Sequence, residues 1–295
     1  MKLELEPGSF VLAVSGGVDS VVLLDLLAGN PGLKLVIAHY DHGIRHDSFK
    51  DRQLVDDLSK KYDLPFYYEA GKLGPKTSEA LAREKRYKFL RSVKERTGSS
   101  AIITAHHQDD LVETVLINLL RGTGRRGLSS LKSTPDIRRP LLPFTKADIL
   151  AYAKAQQLTW REDSTNQTDN YLRNYLRHHI VPKLTKVSRA QLLTILDQAR
   201  GNNAEIDRIM VRLIGSHSKG SELDRAWFIS LPHDLASEVL LTWLKALGVN
   251  ELDRVQIERT VVLLKTLSHG KLIDVDAEHQ LNIGSQTLAL KTRER

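Results

Sequence analysis

Short apolar runs and longer amphipathic segments alternate over the first half of the chain. Phe10-Val11-Leu12-Ala13-Val14 reads as a short buried strand, and the run from Val21 to Leu27 as the helix after it. Residues 33–41 predict a second strand and 46–62 a charged amphipathic helix. A third strand follows at 65–70. Residues 77–97 form a long helix, capped by Thr77 or Ser78 with acidic Glu79 near its start. Residues 101–105 read as a fourth strand, and 109–121 as a helix with Leu111, Val115, Leu116, Leu119 and Leu120 apolar. Strands alternating with helices predict an α/β domain, a parallel sheet covered on both faces. Ligands of such sheets sit beyond the carboxyl ends of the strands. Here those ends are residues 15–20, 39–45 and 106–110, so one rim collects the polar side chains.

From Gly122 the pattern loosens. Gly122-Thr123-Gly124-Arg125-Arg126-Gly127 reads as a basic, flexible loop, 145–157 as a short helix and 162–170 as a polar stretch. After Pro182 the chain reads as helical to about His217, and the remainder mixes helix with two terminal strands around a turn. This divides the chain into an α/β domain, 1–187, and a smaller, mostly helical α+β domain, 188–295.

Charge and cysteine content narrow the chemistry. The formal net charge of +7 favours nucleic acid or another polyanion as partner. With no cysteine in the chain, disulfides, cysteine-ligated zinc, iron–sulfur clusters and any thiol nucleophile or persulfide carrier are excluded. Met1-Lys2-Leu3-Glu4-Leu5-Glu6-Pro7 lacks the apolar core of a signal peptide, and no apolar run approaches the ~20 residues of a membrane span. A cytoplasmic protein without a membrane partner is expected, and the triplet Asn166-Gln167-Thr168 is a chance match to a glycosylation acceptor.

Ser15-Gly16-Gly17-Val18-Asp19-Ser20, between the first strand and its helix, has the make-up of a phosphate cradle. Glycines let the backbone approach a ligand, successive N–H groups point inward, and the helix N-terminus adds partial positive charge. Asp19 suits Mg²⁺ or a substrate cation. Neither Gly-Lys-[Ser/Thr] nor G-x-G-x-x-G is present, so this is not a kinase-type phosphate loop or a dinucleotide fingerprint. Asp110 and Glu113, three apart at a helix start, put two carboxylates on one face, where Mg²⁺ or a substrate amine would bind beside a triphosphate. The bland alternative is a capped helix with solvated acids. His106 and His107 are adjacent at a strand end and diverge, against a shared metal. From Arg121 to Arg139 six Lys or Arg face one acid, Asp136, and Arg173 and Arg177 share a helical face near Tyr171 and Tyr175. Arginine mixed with tyrosine suits RNA phosphates and bases, against the alternative of a solvated basic face. Arg83, Arg86 and Tyr87 repeat the theme on the long helix.

Seven blocks then match one family in order and spacing, over about residues 10 to 184. They are Ser15–Ser20; His39-Tyr-Asp-His42-Gly43-Ile44-Arg45; Arg83-Glu-Lys-Arg86-Tyr87; His106-His107-Gln-Asp-Asp110-Leu-Val-Glu113-Thr; Leu120-Arg121-Gly122-Thr-Gly124 with Gly127-Leu128; Arg139-Pro140-Leu141; and Asp163-Ser-Thr-Asn166 leading to Arg173-Asn174-Tyr-Leu-Arg177. In these the chain resembles the tRNA(Ile)-lysidine synthetases, N-type ATP pyrophosphatases of the PP-loop superfamily with a Rossmann-like sheet. The resemblance implies an ATP-dependent ligase that activates the 2-carbonyl oxygen of the wobble cytidine in a CAU-anticodon isoleucine tRNA. The ε-amine of free L-lysine then attacks, releasing AMP. It implies Asp19, Asp110 and Glu113 as catalytic and lysine-binding residues, and Ser15, Gly16, Gly17, Val18, Asp19, Ser20, Ala38 and His39 for ATP. Arg86, His106, Arg121, Arg125, Arg126, Arg173 and Arg177 are implied for tRNA. No histidine or cysteine metal ligand is implied, and Mg²⁺ would arrive with ATP near Asp19. Larger members carry an additional C-terminal module, and this chain resembles the shorter form. Monomer and homodimer both stay open.

Two other enzyme classes fit the loop less well. A tRNA thiolase generally needs a cysteine carrier or cluster, and an amide synthetase usually a cysteine glutaminase, and this chain has no cysteine for either. A non-catalytic, nucleotide-sensing RNA-binding module would explain the loop and the charge, but leaves Asp110 and Glu113 without a role.

Overall fold

The computed structural model describes residues 1–43, 47–71, 73–74, 77–161, 172–249 and 252–293. Ile44 and Arg45, the block 163–166, the triplet 166–168 and Tyr171 lie outside them. The chain forms two compact units, Met1–Leu196 and Asp197–Arg295, and the division falls within one long helix.

The first unit alternates as β1 (Gly8–Ala13), α1 (Val18–Ala28), β2 (Leu33–Asp41), α2 (Phe49–Lys61), β3 (Phe66–Ala70), α3 (Glu79–Thr97), β4 (Ala101–Ile103) and α4 (Gln108–Leu120). Then come α5 (Arg125–Leu128), β5 (Ile137–Arg138), α6 (Lys146–Ala155), α7 (Leu172–Tyr175), a π-helical turn (Leu176–Ile180), a 3₁₀ turn (Val181–Lys183) and the start of α8 (Lys186–Gly215). The five strands are parallel in the order β3-β2-β1-β4-β5. Strand order reverses beside β1, which makes the rim after β1 and β4 the switch point where ligands of such sheets bind.

Period-two alternation in β1 builds both faces at once. Phe10, Leu12 and Val14 pack with Leu23, Leu24 and Leu27 of α1 and Ile149 and Ala153 of α6. Val11 points the other way, to Tyr87, Leu90 and Val93 of α3. The α1 helix is apolar on nearly every side because it is enclosed, with Val22, Leu23 and Leu24 fully buried. The α3 helix is capped by Ser78, whose Oγ accepts the Leu81 amide at 3.3 Å, and is stopped by Gly98 at φ +61.

The structure departs from the sequence expectation in three places here. Helix α1 starts at Val18, not Val21, so half of the phosphate-loop motif is its first turn. Residues 125–128 are helical where a flexible loop was expected. The β5 strand was not foreseen, because two residues are too few to show a period. It pairs through Ile102 N to Asp136 O and Thr104 N to Arg138 O.

The second unit continues α8 and adds α9 (Arg225–Ser230), α10 (His233–Ala246) and α11 (Arg254–Thr266). Its antiparallel sheet holds β6 (Ser218–Lys219), β7 (Glu222–Asp224), β8 (Lys271–Asp274), β9 (His279–Ile283) and β10 (Thr287–Thr292), in the order β6-β7-β10-β9-β8. The terminal pair is β9–β10, and the other three strands were not anticipated. Phe228, Leu240, Trp243 and Val261 centre its own core. Among the described residues no helix is long and apolar enough to cross a membrane.

Candidate active site

Hydrogen bonds inside the Ser15–Ser20 loop set its shape. Ser20 is buried, and its hydroxyl donates to Gly17 O at 2.8 Å and accepts the Ser15 amide at 3.1 Å. Ser20 therefore holds the loop, while Ser15 and Gly17 line the cleft in front of it. Gly16 sits at φ +91, a left-handed conformation that side chains resist. Its carbonyl accepts the Arg161 amide at 3.0 Å, which fastens the loop from the far side. Gly17 has ordinary extended angles, φ −75 and ψ 158.

Three helix N-termini meet at this rim, those of α1, α4 and α6. Asp19, Asp110 and Lys146 each occupy a first turn, and together their helix dipoles favour an anion in front of them. The three acids singled out in sequence come together there. Glu113 is fully buried and held by both prongs of Arg177, Nε to Oε1 and Nη2 to Oε2, each 2.8 Å. The same Nη2 reaches Asp110 Oδ1 at 3.3 Å. Asp110 Oδ2 accepts the His107 amide at 3.0 Å. Asp19 Oδ1 accepts from Lys146 Nζ at 2.6 Å. Burial pushes the Glu113 carboxyl above the usual range, with Arg177 pulling the other way. The neighbouring Asp109 lines the same cleft but takes other partners. It accepts the Lys146 amide at 2.9 Å and pairs with Arg189, tying α6 and α8 to α4.

Two further clefts open from the rim. One of about 400 Å³ is lined by Ser15, Ala38, His39, Arg86 and His106. His39 is buried, its Nδ1 bonds Val14 O at 2.8 Å, and its ring stacks on Tyr68. A carbonyl only accepts, so Nδ1 carries the proton and Nε2, which has no partner among the described residues, is a bare acceptor. Burial lowers its pKa, and the bond to Val14 only partly offsets that. The other cleft, about 530 Å³, is lined by Arg83, Arg86, Arg139, Arg173 and Arg177 around His106. Burial, then the charges of Arg139 and Arg86, hold His106 neutral far below the usual histidine range. Its Nδ1 lies 2.8 Å from Thr104 Oγ1.

Arg86, His106, Arg173 and Arg177 thus share one cleft, as a common ligand would require. Arg121, Arg125 and Arg126 line none of the three. They follow the C-terminal end of α4, and at 1.5 Å rise per residue Arg121 is about 12 Å along that axis from Glu113. Lys146, Arg161 and Asp51 were missed in sequence. Arg161 donates to Asp51 and Asp47 at 2.6 Å, and all three missed residues line the cleft before the loop. A single lysine opening a helix and an arginine after a tryptophan carry no motif, so only the folded chain reveals them.

A parallel α/β sheet with this loop closing its first strand defines a class of phosphate-binding proteins. Residues 2–184 match the model of the PP-loop domain, and the chain belongs to that family. It is 38% identical over 201 residues to the tRNA(Ile)-lysidine synthase of Lactobacillus johnsonii, covering 62% of this chain and 45% of that protein. It is 28% identical over 298 residues to the tRNA(Ile)-lysidine synthase of Francisella tularensis subsp. holarctica, covering 98% of this chain and 75% of that one. The chain thus spans somewhat under half the length of the first relative and three quarters of the second. Among solved structures, the U34-tRNA thiolase NcsA from Methanococcus maripaludis, with its 4Fe-4S cluster, superposes with a TM-score of 0.54. At 17% identity, covering 67% of this chain and 74% of that one, it is a relative in fold.

Proposed function

We propose that this chain ligates lysine to the wobble cytidine of a CAU-anticodon isoleucine tRNA, using ATP and forming lysidine. One observation carries the reading. Asp19, which lines one cleft with Asp110 and Glu113 beside the phosphate loop, already holds an ammonium, Lys146 Nζ at 2.6 Å, so this is a site chemically suited to a lysine head group. The names of the relatives from Lactobacillus johnsonii and Francisella tularensis point the same way. The thiolase alternative loses ground, since this chain has no cysteine to ligate a cluster.

In this reading ATP lies with its phosphates at Ser15–Ser20 and its base toward Ala38 and His39, whose bare Nε2 accepts a hydrogen bond. Asp19 and Asp110 offer the oxygen ligands that Mg²⁺ prefers. The ion, when bound, would neutralise phosphate charge. The cytidine enters the arginine-lined cleft, where neutral His106 and Arg86 orient it, an unpaired anticodon base needing no helix to be melted. Its carbonyl oxygen attacks the α-phosphate and pyrophosphate leaves. The lysine amine has an ordinary pKa of about 10.4 and arrives protonated. Asp110, with Glu113 fixed behind it by Arg177, binds it and takes one proton before it attacks the activated carbon. AMP leaves in place of a poor oxide leaving group.

The test is AMP release from labelled ATP with Mg²⁺, adding lysine and the tRNA transcript separately and together. AMP formed only with tRNA, and labelled lysine retained on it, is the expected result. AMP without lysine incorporation would discard the amine, and no AMP in any combination would favour a silent binding module.

A further inference from the structure

Lys146 is the first residue of α6, where the helix dipole disfavours a cation by about 0.3–1 kcal/mol. Local rules are broken most often where function requires it. Its backbone is pinned by Asp109, so the side chain starts from a fixed point, and its half-exposed ammonium reaches Asp19 at 2.6 Å. The cleft it lines also holds Ser15 and Gly17 of the loop. The other cations there are bound to the protein by two or more groups: Arg177 by Glu113 and Asp110, Arg161 by Asp51 and Asp47, and Arg189 by Asp109 and Gln108. Lys146 has one ion-pair partner among the described residues, on a flexible four-carbon stem.

We infer that Lys146 is a catalytic residue that leaves Asp19 when a nucleoside triphosphate binds and carries the charge of the departing pyrophosphate. The inference rests on the ATP reading given above. In the adenylation step the carbonyl oxygen forms a bond to the α-phosphorus. The bond from that phosphorus to the bridging oxygen breaks, and its electron pair stays on pyrophosphate. Negative charge grows on the leaving oxygens, and an ammonium placed there stabilises the transition state more than the ground state. The same movement frees the Asp19 carboxylate that Lys146 had paired.

The experiment compares wild type, Lys146→Gln and Lys146→Arg in the full chain, measuring ATP and AMP affinity, pyrophosphate release with tRNA and lysine, and melting temperature. For Lys146→Gln, ATP binding should weaken about 10-fold with AMP binding within about 2-fold of wild type, and pyrophosphate release should drop about 100-fold. Lys146→Arg should recover most of the ATP-over-AMP preference. A merely structural lysine would instead weaken ATP and AMP alike and lower the melting temperature. That result, or unchanged pyrophosphate release, overturns the inference while the nucleotide reading stands. A wild type that binds no ATP overturns both.

Discussion

The two loop glycines, adjacent in sequence, should respond to alanine in opposite ways. At Gly16 the obstacle is conformational. A Cβ there finds its nearest atoms at 3.6 Å, ordinary contact, but φ +91 lies in the left-handed region. Holding an L-residue there costs about 1–2 kcal/mol. For a unit the size of Met1–Leu196, each kcal/mol moves the midpoint by about 2–4 °C, so Gly16→Ala should melt about 2–8 °C lower. Gly17 has permitted angles, and its Cβ would approach nothing closer than Ser15 Oγ at 3.5 Å. Alanine makes a poorer helix cap but restricts the unfolded chain, and these effects cancel to within about 1 kcal/mol. What the Cβ does fill is the space before the loop amides, where phosphate must come close. Thermal melts with and without Mg-ATP separate the two. At 100 times its Kd, ATP stabilises wild type by about 2.7 kcal/mol, or about 5–11 °C. Gly17→Ala should keep its ligand-free midpoint within about 4 °C and lose most of that shift. If it keeps the whole ATP shift, the assignment of this loop as a phosphate site is refuted.

Other expectations concern the acids and the histidines. Asp110→Asn should lower lysine incorporation about 100-fold and change tRNA affinity less than about 3-fold, because the proposed mechanism gives Asp110 the amine and Arg177 keeps both bonds to Glu113. Equal loss of both, by filter binding and incorporation, would sink that role. His39 and His106 have folded pKa values below the ordinary 6.5, so as pH falls past that value the unfolded chain takes up protons the folded chain refuses. Stability should then fall toward acid by about 1.4 kcal/mol per pH unit for each such group. Urea melts between pH 7.5 and 5.5 should be less pH-dependent in His106→Gln, and an unchanged slope contradicts the assignment. Asp25 accepts from Tyr62 at 2.6 Å and from Tyr152 at 2.8 Å, joining α1 to the end of α2 and to α6. Tyr152→Phe should cost about 1–2 kcal/mol in a denaturant melt, with no change in ATP affinity.

Periodicity and punctuation along the chain determined much by themselves. The alternation of apolar runs with amphipathic segments specified a parallel α/β sheet, since each strand and helix is recognised within its own few residues. Gly16-Gly17 after a buried strand marked the phosphate loop for the same local reason. The pair Asp110 and Glu113 was legible because three residues of helix bring side chains to one face. Sequence did not show that Asp109 takes partners of its own, or separate Arg177, in the site, from Arg121, beyond it. Nor did it single out Lys146. Lys146 and Asp19 lie 127 positions apart, and Arg177 and Glu113 lie 64 apart, and no spacing encodes such pairs. They meet because the crossovers of a parallel sheet return the starts of α1, α4 and α6 to one rim. There burial makes each acid find a cation, and only the packed chain decides which.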